Sequence, residues 1–309
     1  MGEPGRKRPL KVGLFLPTYE REMDGATPRW SDILAMARRA EELGFDSLWV
    51  ADHLLMRDEQ GTSAPWEAFS LLAALAASTS RVELGPLVAC ASFRNPALLA
   101  KMADTLDEIS GGRFVLGLGA GWHAPEYAAF GYPFDKRVSR FEEALQIIHG
   151  LLKDGQIDFE GTYYSARECE LRPRGPRPTG PPILLGTTGA RMLGLTARYA
   201  DSWNGFYSRT SNNVAGLAPF NTTLDAACVA LGREPRTLER TASVFMQSAP
   251  FTPSRDWGVA PISGAPEELA QELLGYVAAG VTHVQLGLEP LSLRGIEAMA
   301  PVLELLDRS

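Results

Sequence analysis

Short apolar runs alternate with helical patterns along the chain, and this alternation limits the fold more than any other feature. Eight runs rich in Val, Leu and Phe are each followed by a segment with helical periodicity. Repeated strand–helix units are typical of a parallel sheet with helices packed outside it. Eight units close naturally into a barrel, whereas a doubly wound sheet usually has five or six strands. The sequence therefore predicts a TIM-type (β/α)8 barrel.

The predicted strands and helices follow one another at regular intervals. We expect the first helix to be capped by Ser31 or Asp32 and closed by Gly44. The predicted strands cover residues 10–16, 46–52, 82–88, 113–119, 181–186, 201–206, 241–247 and 282–288. The predicted helices cover residues 30–44, 66–78, 96–109, 137–153, 190–199, 217–231, 266–280 and 295–306.

The segment between the fourth helix and the fifth strand is longer than a simple barrel connection. Residues 153–182 contain alternating apolar residues around Gly161 and then a Pro-rich tail. This pattern predicts a hairpin insertion and a rigid loop, which decorate the barrel without dividing it. Residues 1–309 are therefore expected to form one barrel domain.

Charge and cysteine usage argue against several kinds of partner. The net charge of -7 and the pI near 5.3 disfavour nucleic acid and anionic membranes, because both attract clustered Lys and Arg. The basic run "GRKRP" at residues 5–9 is interpreted as a solvated terminus. No signal-peptide pattern or long apolar span is visible, so a cytoplasmic protein is expected. Three cysteines without C-x-x-C spacing indicate neither a disulfide framework nor a zinc site.

The stretch "FVLGLGAGW" at residues 114–122 raises the question of a dinucleotide site. A Rossmann fingerprint needs G-x-G-x-x-G with its last glycine inside a helix. Here the glycines alternate at positions 117, 119 and 121, and Pro125 and Pro133 follow, so no long helix starts there. We therefore interpret the stretch as the end of the fourth strand, where closely spaced glycines let a flat ring approach the backbone. The next polar and aromatic residues are expected to overhang this mouth: Trp122, His123 and Glu126.

The second strand ends in "VADHLL", which places Asp52 and His53 side by side at the rim of the barrel. A carboxylate beside a histidine can orient or charge it, which favours proton transfer. The alternative is a structural histidine. No second His or carboxylate follows at ligand spacing, so no metal site is expected.

The ends of the third, fifth and sixth strands also carry candidate residues. Pro86 in "LGPLVACASFRNP" indicates a distorted strand end, and the residue types alone favour an irregular exit with Arg94 and Asn95 capping the next helix. "ADSWNGF" is expected to add Trp203 and Asn204 to the interior wall. "LLGTTGA" indicates either a phosphate site or an ordinary helix cap, formed by Gly186, Thr187, Thr188 and Gly189.

Taken together, several motifs resemble the luciferase-like oxidoreductase family, and within it the branch dependent on the deazaflavin coenzyme F420. The likeness runs from residue 12 to about residue 288, and the block at 110–134 is its most specific part. It implies a TIM-type barrel that binds a flavin or deazaflavin through a phosphate-bearing side chain. The motifs are "GFDSLWVADH", "SFRNPALLAKMADTLDEISGGRFVLGLGAGWHAPEYAAFGYPF", "RFEEAL", "PPILLGTTG", "ARYADSWN" and "AGVTHVQLG".

The resemblance also implies roles for individual residues. Asp52 and His53 would border the ring system as the catalytic pair, and His53 would act as acid or base. A non-prolyl cis peptide between Leu87 and Val88 would press against the ring from behind, and Cys90 would face the cofactor. The cofactor-binding residues implied are Leu87, Val88, Cys90, Gly119, Ala120, Gly121, Trp122, Gly186, Thr187, Thr188 and Gly189.

The function implied by the resemblance is hydride transfer between coenzyme F420 and a small organic substrate. Sugar-phosphate dehydrogenases of this branch carry an acid where Trp122 stands here, so a substrate that is not strongly acidic is expected. The alternatives are an FMN-dependent monooxygenase of the same family and a barrel that binds a flavin or deazaflavin without turning it over. A homodimer is compatible with the family. No motif that names the substrate occurs in the loops at residues 18–30, 54–65, 207–219 and 250–266.

Overall fold

Fourteen strands and ten α-helices make up the part of the chain that the computed structural model describes, residues 8–23, 25–59, 61–248 and 258–309. The strands are β1 (Lys11–Phe15), β2 (Ser47–Val50), β3 (Met56–Asp58), β4 (Gly61–Ser63), β5 (Glu83–Pro86), β6 (Ala89–Cys90), β7 (Leu116–Gly119), β8 (Gln156–Glu160), β9 (Ser165–Glu170), β10 (Ile183–Gly186), β11 (Ser202–Gly205), β12 (Glu239–Gln247), β13 (Ile262–Ser263) and β14 (Val281–Glu289). The helices are α1 (Trp30–Leu43), α2 (Ala68–Ser78), α3 (Pro96–Ser110), α4 (Ala124–Phe130), α5 (Arg137–Asp154), α6 (Ala190–Tyr199), α7 (Ala218–Ala230), α8 (Pro266–Ala278), α9 (Leu293–Ala298) and α10 (Ala300–Asp307).

Nine parallel strands form a nearly closed barrel with helices around it, in the order β5-β2-β1-β14-β12-β11-β10-β7-β6. Strand β5 lies within the predicted third strand, residues 82–88, whereas β6 begins just after it, and together they form one broken strand. Because β5 pairs with β2 and β6 pairs with β7, this broken strand joins the two ends of the sheet. The short β13 adds to β12, also in parallel. The predicted TIM-type barrel is confirmed.

Trp49 is one of the largest fully buried side chains and packs among the strands of the barrel. Its ring is fully buried with Leu87 and Leu184, and its indole N–H donates a hydrogen bond of 2.7 Å to the hydroxyl of Ser47. Glycines on neighbouring strands make room for it, since a Cβ at Gly13 would lie 2.7 Å from Nε1 of Trp49 and one at Gly85 would lie 2.8 Å from Cζ3. The interior is therefore a packed core and not a pore.

The first helix begins differently from the prediction. Its N-cap is Arg29, whose backbone N–H donates to the carboxylate of Asp32 at 2.8 Å, so neither Ser31 nor Asp32 is the capping residue. Gly44 closes the helix with a left-handed φ of 94°, as predicted.

The last predicted helix is two helices, α9 and α10. Pro301 lies in the first turn of α10. Because proline has no N–H, it cannot supply the hydrogen bond that would continue α9 through this point. The prediction of one helix across residues 295–306 was therefore wrong.

Two antiparallel hairpins lie outside the barrel. Strands β8 and β9 pair between α5 and β10, within the insertion predicted at residues 153–182. The Pro-rich loop that follows packs on α3, where Gly175 donates its N–H to Asp104 at 2.9 Å and Arg177 pairs with Asp107. Strands β3 and β4 form the second hairpin, within residues 54–65, which the sequence predicted only as a loop.

None of the described helices combines the length and the apolar composition that a membrane span requires. Some predicted segments cannot be compared with the structure. Residues 5–7 of the basic run and residues 250–257 of the last loop lie outside the described residues, as do residues 24 and 60 within the first two loops.

Candidate active site

His53 lies just beyond the carboxyl end of β2, at the end of the barrel where parallel barrels carry their sites. Its Nδ1 is 3.0 and 3.2 Å from the two carboxylate oxygens of Glu126, which lies in α4. Glu126 also accepts the backbone N–H of Leu54 at 2.9 Å, and its side chain is only 1% exposed. The carboxylate therefore fixes the imidazole ring against the start of the loop that follows β2.

Aromatic rings enclose His53 on two sides. The ring centroid of Trp122 lies 5.7 Å away in an edge contact, and that of Tyr19 lies 6.3 Å away. Trp122 is 58% exposed, so it presents an apolar surface to the mouth. His123 and Glu126 are buried, and of the three residues expected to overhang the mouth only Trp122 does so.

His123 connects α4 to the hairpin that follows β2. Its Nε2 accepts the backbone N–H of Arg57 in β3 at 3.0 Å. Burial lowers the pKa of His123, which agrees with a neutral ring that accepts at this nitrogen. The contact secures one wall of the mouth.

The hydrogen bonds of Asp52 are with residues in and after β6, not with His53. Its carboxylate accepts two hydrogen bonds from Arg94, at 2.7 and 2.9 Å, and one from the backbone N–H of Cys90 at 3.0 Å. Burial opposes the charge of Arg94, but its contacts with Asp52 and Glu67 raise its pKa. The prediction that Asp52 orients or charges His53 was therefore wrong, because the carboxylate in contact with His53 is that of Glu126.

The break in the third strand presents Val88 to the glycines of neighbouring strands. The peptide between Leu87 and Val88 is cis, as the resemblance implies. A Cβ at Gly119 would lie 2.8 Å from Cγ2 of Val88, and one at Gly186 would lie 3.0 Å from Cγ1. These glycines let the methyl groups of Val88 pack against bare backbone, which leaves a smooth apolar wall at the top of the barrel.

Gly121 has a different reason to be glycine. Its φ is 72°, and a Cβ there would lie 2.0 Å from the hydroxyl oxygen of Tyr127 and 2.7 Å from the sulfur of Cys90. The protein itself, and not a ligand, occupies this space. These glycines were expected from the sequence to let a flat ring approach, whereas at Gly121 the glycine is required by the backbone conformation and by Tyr127 and Cys90.

Cys90 points towards Tyr127 and packs beside Phe93, and its place at the cofactor stays a prediction. Its sulfur lies 2.9 Å from the hydroxyl oxygen of Tyr127, which donates its own proton to the carbonyl of Ala120 at 2.9 Å. The thiol is therefore the donor in the sulfur contact. Burial raises the pKa of Cys90 to about 12, so the thiol stays protonated and unreactive at neutral pH.

The loop after β10 leads into α6 without a side-chain cap. Gly189 is the N-cap residue, and it and Thr188 are exposed. Thr187 is buried, and its hydroxyl lies 3.0 Å from that of Thr196. The start of α6 therefore lacks the side-chain cap that was the alternative to a phosphate site. The hydroxyl of Thr187 is hydrogen-bonded to another residue of the protein.

Asn204 and Trp203 lie on opposite faces of β11. Asn204 is inside the barrel, where its amide donates to Thr241 at 3.0 Å and to Gln285 at 2.7 Å. Trp203 packs outward on Phe220 of α7, with ring centroids 5.6 Å apart. Asn204 therefore joins the interior wall as predicted, and Trp203 does not.

No group of three His, Cys, Asp or Glu side chains that could hold a metal ion occurs among the described residues. A parallel barrel with a hydrogen-bonded histidine beyond a strand end has the architecture of the TIM-barrel proteins, which carry their sites at this end of the barrel. The chain is a member of the luciferase-like monooxygenase family, whose profile matches residues 10–219.

Relatives in this family use more than one chemistry. An F420-dependent glucose-6-phosphate dehydrogenase of Amycolatopsis mediterranei (strain U-32) is 34% identical over 198 residues, which cover 63% of this chain and 56% of the relative. A pyrimidine monooxygenase, RutA, of Stutzerimonas stutzeri (strain A1501) is 34% identical over 239 residues, 72% of this chain and 65% of the relative. The matched part of this chain thus spans less than two thirds of either relative.

A solved structure shares nearly the whole fold. It is an F420-dependent secondary alcohol dehydrogenase in complex with an F420-acetone adduct, with a TM-score of 0.79. The superposition covers 96% of this chain and 99% of that one at 20% identity. At this identity the likeness concerns the fold.

Sequence patterns missed the two contacts that organise the mouth. Glu126 is 73 residues from His53, and Arg94 is 42 residues from Asp52. The available signal was positional, because each partner follows the end of a strand that the barrel brings to the same rim.

Proposed function

We propose that this protein is an oxidoreductase that transfers a hydride between coenzyme F420 and a small organic substrate, with His53 exchanging the proton. The observation that carries the proposal is the contact of His53 with Glu126 at the barrel mouth, at 3.0 Å. An acid or base held by a second group is what proton transfer at a hydroxyl or carbonyl requires. The F420-dependent relative and the F420-dependent structural neighbour support the choice of coenzyme.

The residues at the mouth suit a flat ring with an anionic side chain. Val88, packed on Gly119 and Gly186, offers an apolar wall for one face of a ring. The start of α6 offers backbone N–H groups without a side-chain cap, and space is open beside Gly189. Such a helix start attracts a phosphate. We therefore assign the ring to the wall of Val88 and the phosphate to residues 186–189.

In the oxidative direction, the chain would position the substrate and move one proton. The coenzyme, when bound, supplies the acceptor for the hydride. His53 would take the hydroxyl proton at Nε2 as the substrate carbon–oxygen bond becomes a carbonyl. Glu126, hydrogen-bonded to Nδ1, would stabilise the resulting imidazolium. Trp122 and Tyr19 would limit the access of water to the reacting atoms.

The substrate proposed is small and without a strongly acidic group. Trp122 is exposed beside His53, at the position where an acid would be expected for a sugar phosphate. Its ring offers apolar contact and no charge. A neutral alcohol or carbonyl compound with an apolar part suits this surface best.

FMN-dependent monooxygenation is the second candidate, and the pyrimidine monooxygenase relative favours it. A barrel that binds one of these cofactors without turnover is a third. A cytoplasmic location, a single domain over residues 1–309 and a homodimer are further proposals that accompany the first.

The coenzyme is tested by titrating the purified protein with F420 and, separately, with FMN, followed by absorbance and fluorescence. We expect F420 to bind at least tenfold more tightly. Tight binding of FMN without binding of F420 would replace the first candidate with the second. Binding of F420 without turnover of any alcohol or carbonyl compound in a broad panel would favour the third.

Gly119→Ala should weaken cofactor binding about tenfold, equivalent to about 1.4 kcal/mol. The added methyl group would lie 2.8 Å from Cγ2 of Val88 and would displace that side chain from the wall. The thermal midpoint of the cofactor-free protein should change by only a few degrees, because the side chain can shift. Gly194→Ala is the matched control, since no atom lies within 4 Å of its added Cβ. Early melting with normal cofactor affinity would contradict the assignment of the wall.

A further inference from the structure

Glu126 is a buried carboxylate whose oxygens serve two donors at the barrel mouth. They lie 3.0 and 3.2 Å from Nδ1 of His53, and one of them accepts the backbone N–H of Leu54 at 2.9 Å. A carboxylate removed from water is costly unless hydrogen bonds compensate for the lost solvation. These contacts account for its burial, and they also constrain the histidine.

The constraint concerns which nitrogen of His53 carries the proton. A carboxylate accepts hydrogen bonds but donates none, and a neutral imidazole has one N–H and one acceptor nitrogen. The nitrogen that contacts Glu126 must therefore be the donor. The proton lies on Nδ1, and Nε2 is left as the acceptor.

The neighbouring carboxylate cannot take this role. The oxygens of Asp52 accept from Arg94 at 2.7 and 2.9 Å and from the backbone N–H of Cys90. Although Asp52 precedes His53 in the chain, its two oxygens already accept these three hydrogen bonds. Glu126 is the carboxylate left to set the state of the imidazole.

We propose that Glu126 is a positioning residue that holds His53 in its Nδ1–H tautomer, so that Nε2 receives the proton of a substrate hydroxyl. In that step the substrate's O–H bond would break and an Nε2–H bond would form, while its C–H bond would break and its carbon–oxygen bond would become a carbonyl; the coenzyme, when bound, would supply the acceptor for the hydride. Glu126 stabilises the imidazolium through the Nδ1–H bond. The substrate part of this inference rests on the proposed function, whereas the tautomer is a property of the protein alone.

The tautomer is measured directly by two-bond ¹H–¹⁵N correlation spectra of the ¹⁵N-labelled, cofactor-free chain. The sequence contains four histidines, and the signal lost in His53→Gln identifies His53. At a pH where His53 is neutral, we expect its Nδ1 to be protonated and its Nε2 to have the shift of an unprotonated nitrogen. Glu126→Ala should move the ratio towards Nε2–H, which free imidazole side chains favour.

Glu143→Ala is the matched control. Glu143, in α5, also accepts hydrogen bonds from backbone N–H groups. Its donors are Thr162, Tyr163 and Tyr164 of the β8–β9 hairpin, at 2.8 to 3.0 Å. Its removal should leave the His53 signal unchanged. If Glu143→Ala changes the tautomer ratio of His53 as much as Glu126→Ala does, the change reflects a general loss of stability, and the proposal is overturned.

Glu126→Gln covers the case in which Glu126→Ala does not fold. Its amide has the same volume as the carboxylate, but the NH2 group would face either Nδ1 of His53 or the backbone N–H of Leu54, both of which now donate to Glu126. Glu126→Gln should therefore also shift the tautomer ratio. Wild-type His53 protonated at Nε2, or a wild-type ratio in every folded Glu126 variant, would overturn the proposal.

In turnover, Glu126→Gln should lower kcat tenfold or more with unchanged cofactor affinity. Failure of the proposed function would appear instead in the cofactor titration, without altering the tautomer spectra.

Discussion

His53→Ala should slow turnover about a hundredfold or more, equivalent to a loss of about 2.7 kcal/mol of transition-state stabilisation. The substitution removes the only group we assign to the proton, while the wall of Val88 and the start of α6 remain. Cofactor affinity should therefore stay nearly unchanged. Steady-state kinetics and a cofactor titration on the same preparation measure both quantities.

His149→Gln provides the matched comparison for loss of a histidine. His149 is half-buried in α5, with its ring centroid 5.3 Å from that of Tyr199, and takes no part in the mouth. We expect it to keep wild-type turnover. If His53→Ala loses cofactor affinity as much as it loses rate, His53 is a structural wall, as the alternative reading of the sequence allowed.

Gly121→Ala should lower the free energy of unfolding by about 3 to 4 kcal/mol. A residue with a Cβ costs about 1 to 2 kcal/mol in the left-handed region, where Gly121 has a φ of 72°. The rest comes from forcing the added methyl group against Tyr127, whose hydroxyl oxygen would lie 2.0 Å away. The midpoint of thermal unfolding should fall by about 6 to 8 °C.

Gly131→Ala separates the two contributions. Its φ is 77°, but no atom lies within 4 Å of the added Cβ, so only the backbone cost remains. It should melt about 2 to 4 °C below wild type. Tyr127→Phe removes the hydroxyl that the new methyl group meets, and in that background Gly121→Ala should cost less. Equal melting of Gly121→Ala and Gly131→Ala would refute the steric argument.

The barrel was predictable because its signal is local and repeated. Each strand is a short apolar run and each helix has its own periodicity, so eight units could be counted without knowledge of their contacts. The errors arose where one residue decides a boundary. Pro301 divides the last helix, and Asp32 reaches back to Arg29 from inside the first. Pro301 was visible in the sequence, but hydrophobic periodicity alone does not show that it divides the helix.

The candidate site was predictable in position but not in its partners. Strand ends share one rim, which is why His53, Val88 and Gly119 were all expected at this end of the barrel. Whether Asp52 or Glu126 would contact His53 depends on side-chain directions and on Arg94, which engages Asp52 from 42 residues away. The orientation of Cys90 likewise depends on Tyr127, in a helix too short to be predicted.

Trp49 has a consequence for the order of events at the mouth. Its ring is buried in one cluster with Leu87 and Leu184, so this part of the barrel interior is packed and offers a ligand no path through it, and a ligand would enter from the end where His53 lies. Two ligands that stacked there would bind and leave in a fixed order. If the coenzyme lies against Val88 and the substrate meets His53, as proposed, the coenzyme would bind first and leave last, and the substrate would exchange while the coenzyme stays bound.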